Sequence, residues 1–339
     1  MPIRVLIIDD SRLVRGLLQA TLSRFSDLEI VGEAGDGQRG EQLARTLRPD
    51  VITMDVLMPM MGGIEAIEII MREQPTPIVV VADLASSDGS AAMEAMARGA
   101  VAVFPKPRQG MDETAARALA DVLRESAALR FTPSRTLPMR RTPRRLPRRD
   151  LHIVGIVSST GGPRGLRAML QALSPPLPFP IAIVQHTTPG STAALAAWLS
   201  TSTPHRVSVA QAGQRLLPGD VVVAPEDRHL TIDAEAQVRL LRGSPGDGYC
   251  PSGGVLLGSL AKTFGAAAAG VVLSGMGSDG ASGLAAIEAA GGLALIEDPG
   301  TAVVSGMPSA ALAATRAALV DTPDRLAMAL RRLRPGAET

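Results

Sequence analysis

Short unbroken apolar runs alternate with amphipathic stretches along most of the chain. In the first half, "RVLIID" precedes a helical pattern near 12–24 and "LEIVGEA" one near 38–47. "DVITMD" precedes one near 63–73, "PIVVVA" one near 90–98, and "AVAVF" one near 112–127. That is five βα units, and their continuous Val/Ile runs suit a parallel sheet covered on both faces. After residue 150 the alternation resumes. "LHIVGIV" leads into a helix near 164–172, and "PIAIVQ" into one near 191–199. "RVSVAQ", "DVVVAP", "HLTID" and "QVRLLR" are shorter and predict a hairpin or an antiparallel edge. A helix near 255–267, "AGVVLS", a helix near 281–290 and "LALIED" complete the second half. The pattern predicts an α/β protein of two doubly wound parallel-sheet domains, the second with a small antiparallel edge or hairpin, and no internal repeat.

Between the halves the pattern breaks. Residues 130–149 hold eight arginines, four prolines and no acid. Proline at that frequency blocks helix and ladder alike, and unpaired like charge extends a chain. This assigns domains to 1–125 and 151–335 with an Arg/Pro-rich linker at 126–150. A basic docking patch for an acidic partner is the other reading of that segment.

Composition removes several classes. A net charge of +1 over 339 residues does not advertise nucleic acid or membrane. The single cysteine, Cys250, excludes an internal disulfide and fits a reducing compartment. The N-terminus turns acidic after a short apolar run, unlike a signal peptide. No window reaches the roughly 18 uninterrupted apolar residues of a spanning helix. The expected location is the cytoplasm, without membrane insertion.

In a parallel α/β sheet, ligands gather outside the carboxyl ends of the strands. Asp9 and Asp10 end the first strand, Asp55 ends the third, and Lys106 follows the fifth. Three crowded carboxylates repel, and a hard divalent cation such as Mg²⁺ relieves them. A carboxylate held beside that cation and a lysine can accept a phosphoryl group. The alternative is that such acids only cap the following helices. "IIDDS", "MDVLMPMMGG" and "KP" resemble the receiver domain of bacterial response regulators, over residues 1 to about 125. The resemblance implies a flavodoxin-like fold, with Asp9, Asp10 and the Leu57 carbonyl on Mg²⁺, Asp55 as metal ligand and phospho-acceptor, and Lys106 on the phosphoryl group. Two positions depart from the family pattern. Ala82 stands where a Ser or Thr usually follows the fourth strand, and Val103 where an aromatic usually reorients.

In the second half, "IVGIVSSTGGPRGLRAML" reads as buried strand, polar turn and helix. A side chain on such a turn projects from the rim beside free helix N–H groups. By itself the stretch is equally open to a nucleophile, a phosphate loop or a cap, although GxxxxGK[ST] and GxGxxG are absent. Of four histidines, His186 directly follows a buried strand and shares the serines' rim, whereas His152, His205 and His229 do not. Asp279, in "LSGMGSDG", is the acid of a third strand end; its alternative role is to cap the helix beginning near Ala281. The chain order Ser, His, Asp is not that of an α/β-hydrolase, and GxSxG is missing.

"SSTGGP", "VQH" and "LSGMGSDG" together resemble the catalytic domain of chemotaxis protein-glutamate methylesterases, the CheB family. "APEDRHL" and "EDPGTAVVSGMPSAAL" resemble its later segments. The resemblance implies a Rossmann-like esterase domain with Ser159 as nucleophile, His186 as base, Asp279 as orienting acid and the Met276 N–H in the oxyanion hole. Ester hydrolysis would need no cofactor. It further implies chemoreceptor cytoplasmic domains as substrate, demethylated at glutamyl methyl esters and deamidated at glutamines, and a chemotaxis histidine kinase as phosphodonor. Gly254 departs from the family's usual Asp after "PS". Ala82, Val103 and Gly254 motivate the rival reading, a signalling adaptor whose receiver no longer gates catalysis. A DNA-binding regulator lacks any helix-turn-helix signal.

Overall fold

The computed structural model describes residues 1–84, 88–106, 110–129, 150–188, 190–244, 248–316 and 318–333. The arginine-rich stretch at 130–149 lies outside the described residues. The chain divides into two compact units, Met1–Phe131 and Thr132–Thr339.

The first unit runs β1 (Ile3–Ile8), α1 (Arg12–Leu22), β2 (Leu28–Ala34), α2 (Gly37–Leu47) and β3 (Val51–Met54). It continues with α3 (Gly63–Glu73), β4 (Ile78–Ala82), α4 (Asp88–Arg98), β5 (Ala102–Pro105) and α5 (Glu113–Ala127). The strands form one parallel sheet in the order β2-β1-β3-β4-β5. Helices pack on both faces, so Val5, Leu6, Ile7 and Ile8 are buried without alternation, as are all residues of β4. Polar residues at the strand ends start the helices: Ser11 Oγ accepts the Val14 N–H and Asp36 accepts the Arg39 N–H. Helix α5 continues through Ala127, two residues into the segment expected to be linker.

The second unit runs β6 (Ile153–Ser158), α6 (Gly162–Ala172), β7 (Ile181–Gln185), α7 (Thr192–Ser202), β8 (Val207–Val209) and β9 (Val221–Val223). Then come β10 (Arg228–Ile232), β11 (Val238–Arg242), α8 (Gly253–Phe264), β12 (Ala268–Val272) and α9 (Ala281–Ala289). The unit closes with β13 (Leu293–Glu297), α10 (Gly306–Ala314), β14 (Leu319–Asp321) and α11 (Pro323–Arg331). Its main sheet is parallel in the order β14-β13-β12-β6-β7-β9-β8. Of the four short segments expected in a hairpin or edge, two extend this sheet in parallel as β8 and β9. The other two pair antiparallel as β10 and β11. Strands of three residues are too short to declare their direction by periodicity. The last three elements, α10, β14 and α11, were not anticipated, because β14 is only three residues long and half exposed.

Each sheet has a point where strand order reverses: between β1 and β3 in the first, and between β6 and β12 in the second. Chains leave such a crevice in opposite directions and open a space at the carboxyl rim. Under the second crevice, Val157, Leu256, Leu257, Leu260, Leu284 and Ile287 form part of one buried cluster. Among the described residues, no helix is long and apolar enough to cross a membrane.

Candidate active site

Strands β12, β6 and β7 are neighbours at the centre of the second sheet, and their carboxyl ends carry the three predicted residues. Ser159 follows β6, His186 follows β7, and Asp279 lies on the turn after β12. His186 and Asp279 meet directly, Nε2 to Oδ2, at 2.9 Å. Asp279 does not cap α9, whose N-cap is Gly280 without a side-chain bond. Its carboxylate instead sits on the N-terminus of α8, the helix packed beside α9. There it accepts the N–H groups of Gly253 (2.6 Å) and Gly254 (2.9 Å) and the Ser252 hydroxyl (2.9 Å), and it also accepts its neighbour Gly280's N–H (2.9 Å). Burial works against the charge, but the bonds from His186, Gly254 and Gly253 outweigh it and hold the carboxyl at about 2. The helix dipole adds to the same effect. Gly253 makes the approach possible, since a Cβ there would collide with the Val157 side chain of β6. The departure at Gly254 leaves this arrangement intact: a Cβ there would only touch Asp279, Ser282 and Ser252 at 3.4–3.5 Å.

An ionised carboxylate only accepts, so the His186 Nε2 facing it carries the hydrogen. In the neutral ring the lone pair is then on Nδ1, which is buried and has no hydrogen-bond partner among the described residues. Tyr249 stacks on the imidazole at 4.7 Å between centroids and 3° between planes. The other histidines are engaged elsewhere or exposed. His205 Nε2 bonds the carbonyls of Leu170 and Leu173, His229 Nδ1 accepts the Ser252 N–H, and His152 is exposed.

Ser158 and Ser159 separate cleanly. Ser158 ends β6, is fully buried, and donates its hydroxyl to Gln185 Oε1 at 2.6 Å. Ser159 is the first residue of the turn, half-buried, and its hydroxyl makes no hydrogen bond among the described residues. Its backbone is clamped: the N–H donates to the Ser274 carbonyl (3.0 Å), and the carbonyl accepts from Gln185 Nε2 (2.8 Å) and the Gly162 N–H (2.8 Å). The Met276 turn runs alongside, for a Cβ on Gly275 would lie 2.8 Å from that of Ser159. The N–H groups of Met276 and of Thr160 donate no hydrogen bond among the described residues.

A buried acid that sequence reasoning missed lies under the same turn. Glu297, at the end of β13, accepts the Ser274 N–H at 2.7 Å. Ser274 in turn donates its hydroxyl to the Thr160 carbonyl at 2.7 Å. Glu297 lines a cavity of about 190 Å³ together with Gly161 and Arg164. Burial pushes its carboxyl up to about 7 with help from Asp298, against the Ser274 N–H and the Arg164 charge. Of these supporting groups only Ser252 has a local signal, as a serine three residues before the apolar helical run that begins at Val255.

On the first sheet, the side chains predicted for the β1/β3 rim also converge. Ligand oxygens of Asp9, Asp10 and Asp55 all lie within 4.8 Å of one another. Lys106 Nζ is 2.7 Å from Asp55 Oδ2 and 3.3 Å from Asp9 Oδ2. Burial and the neighbouring Asp55 raise the Asp9 carboxyl, while Lys106 and the Ser11 N–H oppose them. Burial disfavours the Lys106 charge, but Asp55 and then Asp9 outweigh it and raise the ammonium. The Leu57 N–H faces Asp55 Oδ1 at 3.4 Å, and its carbonyl accepts no hydrogen bond among the described residues. Three carboxylates and a free carbonyl form an all-oxygen set that fits a hard cation such as Mg²⁺. Arg15 was not foreseen; it braces the loop by donating to the Asp9 (2.7 Å) and Asp10 (3.1 Å) carbonyls. Ala82 is fully buried at the end of β4 and Val103 is buried in β5.

Comparison with known proteins matches both units. The profile of the CheB methylesterase family covers residues 154–330, and that of the response regulator receiver domain covers 5–117. A "Protein-glutamate methylesterase/protein-glutamine glutaminase 3" of Anaeromyxobacter dehalogenans is 42% identical over 343 residues, spanning 97% of this chain and 100% of that protein. A protein of the same name from Myxococcus xanthus is 43% identical, spanning 92% of this chain and 88% of that one. The crystal structure of the Thermotoga maritima CheB methylesterase catalytic domain is 34% identical with a TM-score of 0.52, over 54% of this chain and 99% of that one.

Proposed function

This chain belongs to the CheB methylesterase family, with a response regulator receiver domain at its front, and from that premise we propose a phosphorylation-controlled serine hydrolase acting on chemoreceptors. Its substrates are glutamyl methyl esters and glutamines on the receptors' cytoplasmic helices. The observation that carries the reading is the hydrogen-bonded pair of half-buried His186 and buried Asp279, with a free Nδ1 on the rim that bears the free Ser159 hydroxyl.

In this reading Ser159 Oγ attacks the side-chain carbonyl as His186 Nδ1 takes its proton. Asp279 stabilises the resulting imidazolium and keeps the ring's other hydrogen on Nε2. The Met276 N–H, with that of Thr160, receives the charge developing on the carbonyl oxygen. The imidazolium returns its proton to the departing methanol, or to ammonia from a glutamine. Water then attacks the acyl-enzyme with His186 again as base, releasing glutamate and regenerating Ser159. None of these steps calls for a cofactor.

The receiver controls this cycle through Asp55, phosphorylated by a chemotaxis histidine kinase. Asp9, Asp10, Asp55 and the Leu57 carbonyl would hold Mg²⁺, which neutralises charge on the transferring phosphoryl group when bound. Lys106 pairs with the phosphoryl oxygens. The adaptor reading is not favoured, because a binding module has no use for a hydrogen-bonded His–Asp pair on the same rim as an unbonded serine.

The test is methanol release from methylated receptor in membranes. Ser159→Ala should remove essentially all of it, and retained activity would overturn the assignment. Ser158→Ala should keep most of it; a collapse there would move the nucleophile to Ser158.

A further inference from the structure

We propose that Gln185 is a positioning residue that holds nucleophile and base in one frame; the proposal rests on the triad reading above. Its side chain lies at the last rung between β6 and β7, where it is the cross-strand partner of Ser158. It is 2% exposed, and one carboxamide reaches three groups. Oε1 accepts the Ser158 hydroxyl at 2.6 Å, and Nε2 donates to the carbonyls of Ser159 and His186, each at 2.8 Å. The amide orientation follows from chemistry, since two carbonyls can only accept and so must face the NH₂ end.

Past this rung β6 and β7 no longer pair with each other. The His186 N–H still bonds the Ser158 carbonyl at 3.0 Å, but the next residues of both chains have left the ladder. Ser159 and His186 leave β6 and β7 there, and their carbonyls share one donor group. Turn and strand end therefore move together. The close fit is deliberate: a Cβ on Gly162, the first residue of α6, would collide with Gln185 Oε1 and lie 2.7 Å from the Ser158 Cβ. Gln185 bonds the backbone of Ser159 and His186 and neither the Ser159 hydroxyl nor the His186 ring, so it acts through the two residues it aligns. Misplacing a reacting group by about 1 Å can slow a reaction about 10²-fold.

The discriminating variant is Gln185→Glu, which keeps size and the acceptor for Ser158 but turns the donor end into an oxygen facing two carbonyls. Expected in the intact chain is a kcat for methanol release about 10²-fold below wild type, with KM within about twofold. The ratio of variant to wild-type kcat should rise as pH falls, because a protonated carboxyl regains one O–H donor. Normalising kcat to the fraction of enzyme labelled by a fluorophosphonate probe keeps any pH-dependent loss of folded protein out of that ratio. Ser158→Ala should give a smaller loss, since both Nε2 bonds survive. Labelling with a fluorophosphonate probe, with Ser159→Ala as control, separates the two levels of inference. If Ser159→Ala is unlabelled and inactive while Gln185→Glu labels and turns over within threefold of wild type, the triad stands and the role of Gln185 is overturned. Should Gln185→Glu fail to fold, Gln185→Met removes the polar atoms without charge. Wild-type kcat in folded Gln185→Met overturns the proposal, and a kcat loss at unchanged KM supports it.

Discussion

Replacing Glu297 by Gln should remove the part of the second unit's pH-dependent stability that this carboxyl contributes between about pH 4.5 and 7. The carboxyl titrates near 4.5 in an unfolded chain and is pushed up to about 7 in the folded one. The folded protein therefore binds this proton more tightly. Between those values the unfolded state holds fewer protons, and stability falls as pH rises through the window. A rise of roughly 2.5 units at 1.36 kcal/mol each comes to about 3 kcal/mol, lost in full once pH exceeds 7. Relaxation around the ionised group makes that an upper figure. Glutamine has the same shape, keeps an oxygen for the Ser274 N–H and does not ionise. The assay is urea unfolding of the whole chain at several pH values, followed by tryptophan fluorescence. Trp198 is the sole tryptophan and is buried in α7 of the second unit, so the signal reports that unit even if the two unfold separately. Wild type and variant should match near pH 4, and the variant should be more stable by up to about 3 kcal/mol at pH 8. A difference that stays within about 0.5 kcal/mol across the range would refute the reasoning, because other groups titrate equally in both proteins.

Two further outcomes are expected. Asp279→Asn should lower kcat by about 10⁴-fold, since an amide NH₂ cannot accept from Nε2 and from the α8 N–H groups together, and the imidazole loses its orientation; methanol release measures it. Acetyl phosphate with Mg²⁺ should label wild type but not Asp55→Asn, and should raise the esterase rate only in wild type. Labelling without a rate change would mean that the switch is uncoupled, with Ala82 the first position to restore as Thr.

Much of both sites was legible in the linear pattern because a parallel sheet sends every strand's carboxyl end to one rim. Once "RVLIID", "DVITMD" and "AVAVF" are parallel strands of one sheet, Asp9, Asp10, Asp55 and Lys106 must share one rim. Ser159, His186 and Asp279 follow by the same logic from β6, β7 and β12. The arrangement of groups around them was decided in three dimensions. Local reading gave Asp279 the choice of capping the helix that follows it, yet the fold lays it on α8, which begins 26 residues earlier at Gly253. Tertiary packing likewise fixed which nitrogen of His186 is free, and it brought Gln185 and Glu297 under the serine turn from opposite sides. A strand pattern states which end of the sheet a residue occupies, because that depends only on chain direction and period. Hydrogen-bond partners and the ionisation they impose depend on which strands become neighbours. That is settled only when the sheet assembles, and no period along the chain records it.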